Sequence, residues 1–179
     1  MKKKIVTIGL ISLVASFTFA VTVGEKLSTV ELSGKMGGKT DGTSFSTTNM
    51  IGKLAAIFYV DPDEKKVNTD FEERLKELKF SREFYQPYAI INIAASKMPG
   101  FLVAHALKGK QKKFPDTIYI KDNKKTFVKS WGLTDNSYDV VIADSKGIVL
   151  FAKSGKLSKE EMDKAIKIIT KNIQKMGDK

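Results

Sequence analysis

The residues able to do chemistry in this 179-residue chain are few, and their types set narrow bounds. There is no cysteine and one histidine. Disulfides, thiolate metal sites and cysteine nucleophiles are therefore excluded, as is any multi-histidine metal centre within the chain. The densest acidic group is Asp61-Pro62-Asp63-Glu64. One reading is a carboxylate cluster for a hard cation such as calcium, since oxygen ligands at close range suit such ions. The simpler reading is a helix start: Asp61 as cap, Pro62 in the first turn, and Asp63 and Glu64 facing the positive end of the dipole. No glycine or further ligand pattern completes a calcium loop, so no metal or other cofactor is expected. His105 sits in the apolar stretch FLVAHALK with no nucleophile motif beside it and reads as a structural residue. Tyr59, Trp131 and Tyr138 either line a groove for a peptide or glycan or belong to the core.

Charge is the other chemical resource. There are 31 Lys+Arg against 20 Asp+Glu, a net charge of +11. Such a balance favours anionic surfaces such as lipid head groups or polyanions. Only Arg74 and Arg82 are arginines, however, and base or phosphate forks lean on arginine, so specific nucleic-acid recognition is not expected. Lys108, Lys110, Lys112 and Lys113 form the densest basic run, either a contact for an anionic membrane surface or a solvated helix end.

The elements that must position these groups follow from periodicity. Lys2, Lys3 and Lys4 precede an apolar run from Ile5 to Phe19, and Thr18-Phe19-Ala20 offers a peptidase site. Residues 1–20 thus read as a signal peptide cleaved near Ala20-Val21, which places the remainder in the periplasm; the alternative is an uncleaved inner-membrane anchor facing the same compartment. Residues 21–179 then form a single domain. A strand is expected over Ser28–Leu32, and the Gly/Ser/Thr-rich stretch from Gly34 to Asn49 reads as turns and loop, with a short hairpin as an alternative within it. Leu54–Val60 (LAAIFYV) is continuously apolar, the mark of a strand covered on both faces. Thr69 to Phe80 reads as a helix opened by a capping box, Thr69 to Glu72, with Glu72 and Lys76 paired four apart on its outer face. Tyr88–Ile93 is a second buried strand, Phe101–Phe114 a weaker helix, and Thr117–Lys121 a third strand. Tyr138–Ala143 and Ile148–Lys153 flank the turn Asp144–Gly147 as a hairpin. Ser158 and Glu161 box the start of a last helix whose stripe is Met162, Ile166, Ile169, Ile173 and Met176. The order predicts one mixed sheet flanked by helices, a thioredoxin-like α/β arrangement.

Several blocks carry a resemblance. Gly52-Lys53 precedes the first core strand and YQPYAIIN (Tyr85–Asn92) holds the second. Met98-Pro99-Gly100, Lys112-Lys113-Phe114-Pro115, Ser130-Trp131-Gly132-Leu133 and VVIADSKGIVLFAKSGKLSKEE (Val140–Glu161) follow. In succession these resemble the YtfJ family of exported bacterial proteins. The resemblance implies an exported protein with a thioredoxin-like fold. A thioredoxin-type oxidoreductase needs a Cys-x-x-Cys pair at the start of the first helix, a place that falls here on Asp63–Lys66, and a cis-proline near Tyr138. Neither is present. The expectation is a redox-inactive periplasmic protein that binds a protein or small molecule, with Asp61, Asp63, Glu64, Tyr138 and Asp139 meeting at the vacated edge. The alternatives are a non-thiol enzyme or cation binder using Asp61, Asp63 and Glu64, and a polyanion or membrane-surface binder working through the lysines.

Overall fold

The computed structural model describes residues 21–178, so the expected signal segment lies outside the described residues. Along the chain run β1 (Glu31–Leu32), β2 (Gly37–Lys39), β3 (Phe45–Ser46), β4 (Leu54–Val60), α1 (Thr69–Glu77) and β5 (Tyr85–Asn92). They are followed by α2 (Gly100–Lys113), β6 (Ile118–Asp122), α3 (Thr126–Trp131), β7 (Tyr138–Ala143), β8 (Val149–Ser154) and α4 (Lys159–Gly177). All seven residues of β4 are buried, as its unbroken apolar run predicts. Six strands form one sheet in the order β2-β6-β5-β4-β7-β8; β4, β5 and β6 are parallel, and β2, β7 and β8 join antiparallel. This is the expected mixed sheet.

Alternation along β4 divides the interior. Ala55, Ile57 and Tyr59 face one side, where they pack with Val30, Leu32, Phe45, Phe127 and Trp131. Leu54, Ala56, Phe58 and Val60 face the other, against Phe71 and Leu75 of α1 and Ala165 and Ile169 of α4. Trp131 is therefore core, its Nε1–H satisfied by the Ser28 carbonyl at 2.9 Å. Pro87 is tolerated in β5 because it stands before the β6 ladder begins at Tyr88 opposite Ile118.

Four details depart from the sequence expectation. The stretch 34–49 is not plain loop: β2 extends the sheet beside β6, and β3 pairs with β1. Glycine is what permits this, since a Cβ on Gly37 would stand 1.9 Å from the Lys121 carbonyl oxygen. The first strand is only Glu31–Leu32. A short helix, α3, was invisible to periodicity at six residues; its first turn is held by Asp122, whose carboxylate accepts the amides of Lys124 and Phe127. Finally, Thr69 caps nothing. Asn68 is the N-cap of α1, and its side chain reaches away to the Gly155 carbonyl and the Leu157 amide, tying α1 to the segment before α4. The capping box of Ser158 and Glu161 is formed as expected. Among the described residues, no helix is long and apolar enough to cross a membrane.

Candidate functional site

Asp61 follows β4, buried, and its Oδ1 accepts the Asp63 amide at 2.8 Å, with Pro62 opening a single 3-10 turn. This is the capping arrangement, placed ahead of α1 rather than within it. Asp63 is exposed, its Oδ2 taking the Lys97 amide at 3.3 Å, and Glu64 is exposed. Among the described residues, no group of three or more His, Asp or Glu side chains is placed to hold a metal ion. Tyr138 and Asp139 are neighbours in β7 and so leave the sheet on opposite faces. Asp139 lies across from Tyr59, buried, with one carboxylate oxygen lacking a partner, and burial raises its pKa. Tyr138 packs edge-on to Phe58 and faces α1. The five residues therefore share one end of the sheet without lining one pocket. His105 is exposed on α2.

What the face carrying Tyr138 does contain is a cavity of about 180 Å³ between α1, α2 and β5. Its floor is Tyr85, Pro87, Ala89 and Ile91 of β5; its walls include Leu75, Val103, Ala106, Leu107 and Phe114. The hollow has a sequence cause. Alternate residues of β5 put Pro87 and Ala89 on the face that α1 and α2 must cover, and α2 answers with Val103 and Ala106. Small groups on both sides leave space that larger side chains would fill.

Charge is distributed unevenly around it. Glu72 projects inward from α1, its side chain 14% exposed; Oε1 accepts the Tyr138 hydroxyl at 2.6 Å and Oε2 pairs with Lys110 of α2. Burial and that carboxylate hold the Tyr138 phenol far above its ordinary pKa. Glu72 thus pairs across the helices, not with Lys76 as its spacing predicts. Lys76, Lys110 and Lys113 all stand 5.2 to 5.6 Å from the centre of the Phe114 ring, a geometry favourable for cations over an aromatic face. Lys113 also pairs with Glu73, so two of the four lysines in the basic run are committed within the fold. At the other end, Arg82 lies over the Tyr85 ring at 5.3 Å and gives Nη2 to Asp116 at 2.9 Å. Sequence reasoning missed Glu72, Arg82, Tyr85, Lys110 and Phe114 as a group. The small residues of YQPYAIIN were the available signal.

The cavity is lined mainly by apolar side chains, with lysines, Arg82, Glu72 and Asp116 around it. Thiol chemistry is absent, because the chain has no cysteine. The fold is thioredoxin-like. The chain is similar to a thiol peroxidase from Chromobacterium violaceum at a TM-score of 0.60 with 13% identity, covering 87% of this chain and 90% of that one. It is also similar to the thioredoxin domain of a thiol-disulfide oxidoreductase from Bacteroides vulgatus, at a TM-score of 0.58 with 12% identity and coverage of 83% and 97%. Among curated proteins it is 27% identical over 140 residues to "Uncharacterized protein YtfJ" of Escherichia coli (strain K12), covering 75% of this chain and 76% of the relative. A Haemophilus influenzae protein is 27% identical over 131 residues, 70% of each. The model of one bacterial family matches residues 28–172, and the chain accordingly belongs to the family described as "Bacterial protein of unknown function (YtfJ_HI0045)".

Proposed function

We propose that this is an exported, redox-inert thioredoxin-like protein that acts by binding a small, largely apolar ligand in the cavity between α1, α2 and β5. The observation that carries the reading is the cavity itself. An engineered cavity of about 150 Å³ lined by Leu, Ile and Phe admits benzene, and this one, at about 180 Å³, is of similar size and mainly apolar, though charged side chains also line it. Export is supported by the lysines at 2–4, the apolar run that follows and the small residues before Val21. A titration of the purified protein with toluene, followed through side-chain methyl NMR signals, tests the binding. Methyls of Ala89, Ala106, Leu75 and Leu107 should shift in a saturable manner. Ala89→Leu, which fills the space, should abolish the response while the protein stays folded. Unperturbed cavity methyls at saturating toluene would refute the reading.

A second reading has its own support. Phe101 is 72% exposed on the first turn of α2, close in sequence to Lys97, whose amide meets Asp63, and to Met98, which meets Lys65. An exposed aromatic near the turn that carries the exposed Asp63 and Glu64 suits a protein partner at that edge. A pull-down from periplasm comparing the native chain with a Phe101→Ser, Asp63→Asn double variant tests it: unchanged partners would remove the edge from consideration.

A further inference from the structure

The cavity has a chemical polarity that its size alone does not explain. Two hydrogen-bond donors in its wall have no partner: the Tyr85 hydroxyl and Arg82 Nη1, both buried as atoms. Tyr85 is 2% exposed, so its hydroxyl is far from water, and burial raises its pKa well above the ordinary phenol value. It therefore stays a neutral O–H donor. A buried donor left empty costs free energy, and most native structures satisfy such groups. Arg82 uses Nη2 on Asp116, lies over the Tyr85 ring, and keeps Nη1 unused. The two vacant donors thus belong to two lining side chains that pack against each other. Lining charge points the same way. Lys65, Lys76, Arg82 and Lys110 stand against Glu72 and Asp116; Glu72 is already taken by Tyr138 and Lys110, and Asp116 by Arg82.

Resting on the cavity-binding reading above, we propose that the ligand is a small monocarboxylate with an apolar body, its carboxylate held by Tyr85 and Arg82. Planar guanidinium and phenol donors suit two carboxylate oxygens, and such charge-assisted bonds are stronger than neutral ones. The body lies along Ala89, Ala106, Leu107 and Phe114 and has room for about six to eight carbons, by comparison with the benzene-sized cavity.

The test pairs acids with neutral isosteres on the purified protein: hexanoate against hexanol and phenylacetate against toluene, by calorimetry and methyl NMR. The acids should bind at least about tenfold tighter than their neutral counterparts, the contribution of one charge-assisted hydrogen bond. Tyr85→Phe should remove most of that preference without lowering the melting temperature, because the hydroxyl it deletes bonds nothing. Arg82→Gln should remove it as well while toluene binding stays within about twofold. Hexanoate and phenylacetate together separate aliphatic from aromatic acids as the class taken. If neutral compounds bind as well as or better than acids, the carboxylate assignment is overturned and the apolar cavity reading survives. If Tyr85→Phe destabilises the fold or keeps the preference intact, the assignment is likewise overturned. If neither class binds, both readings fall.

Discussion

Replacing Glu72 by alanine removes the carboxylate that holds the Tyr138 hydroxyl at 2.6 Å and the Lys110 ammonium together. The two losses differ in kind. Tyr138 is 1% exposed, so its hydroxyl is left unsatisfied, at a cost of about 1–3 kcal/mol. The Lys110 side chain keeps 25% of its surface and can turn to water, so the lost ion pair adds only about 0–1 kcal/mol. Together Glu72→Ala should cost about 2–3 kcal/mol. For a chain of this size, that lowers the melting temperature by about 4–12 °C. Tyr138→Phe removes the donor but leaves Glu72 paired with Lys110, and should cost about 1 kcal/mol. Once Tyr138→Phe has been made, the hydroxyl penalty of Glu72→Ala vanishes, so the double variant should be about 1–2 kcal/mol more stable than additivity predicts. Thermal or denaturant unfolding of the wild type, both single variants and the double variant reads this directly. Additivity within about 0.5 kcal/mol would mean the two groups do not interact and the wall of the cavity is wrongly described.

Other consequences are as concrete. Gly37→Ala places a Cβ 1.9 Å from the Lys121 carbonyl and should detach β2 from β6, seen as a lower melting temperature and faster amide exchange at Lys39 and Ile120; an unchanged melting temperature would refute the close approach. Ser158→Ala removes a formed capping box and should cost about 1 kcal/mol, lowering the melting temperature by about 2–4 °C. Asp139 has its pKa raised by burial above the ordinary 3.8, so the native state binds its proton more tightly than the unfolded chain and loses stability as pH rises through that window. Asp139→Asn should therefore be more stable than wild type at pH 7, with the advantage shrinking as pH falls below the raised pKa. A pH-independent difference between the two melting curves would contradict it.

The sequence exposed the fold where a signal was long and local. LAAIFYV could only be a doubly covered strand, the Asp144–Gly147 turn joined its hairpin, and Ser158 with Glu161 marked the last helix. Elements decided by tertiary contact were not legible. α3 is too short for periodicity and exists because Asp122 ties its first amides and Phe127 and Trp131 fill the core. β2 exists because Gly37 lets it lie against β6 and Gly38 lets it pass the Thr43 carbonyl. The site shows the same division. Asp61 as a cap was readable from the Pro62 that follows it, because a cap is a local device. Glu72 looked like the outer partner of Lys76, and only packing of α2 beside α1 turns it toward Lys110 and Tyr138. Tyr138 and Asp139 were grouped by sequence position, whereas strand geometry sends them to opposite faces. A cavity is made by what several segments leave empty, and no single segment announces it.

The central claim is a preformed apolar cavity in a thioredoxin-like scaffold that carries no thiol. Diffraction from crystals of the protein under xenon pressure tests it most directly, since xenon enters dry apolar cavities of this size. A strong xenon peak bounded by Ala89, Ala106, Leu107 and Phe114 is the predicted result. Side chains of α2 collapsed onto β5, with no xenon between α1 and α2, would contradict it.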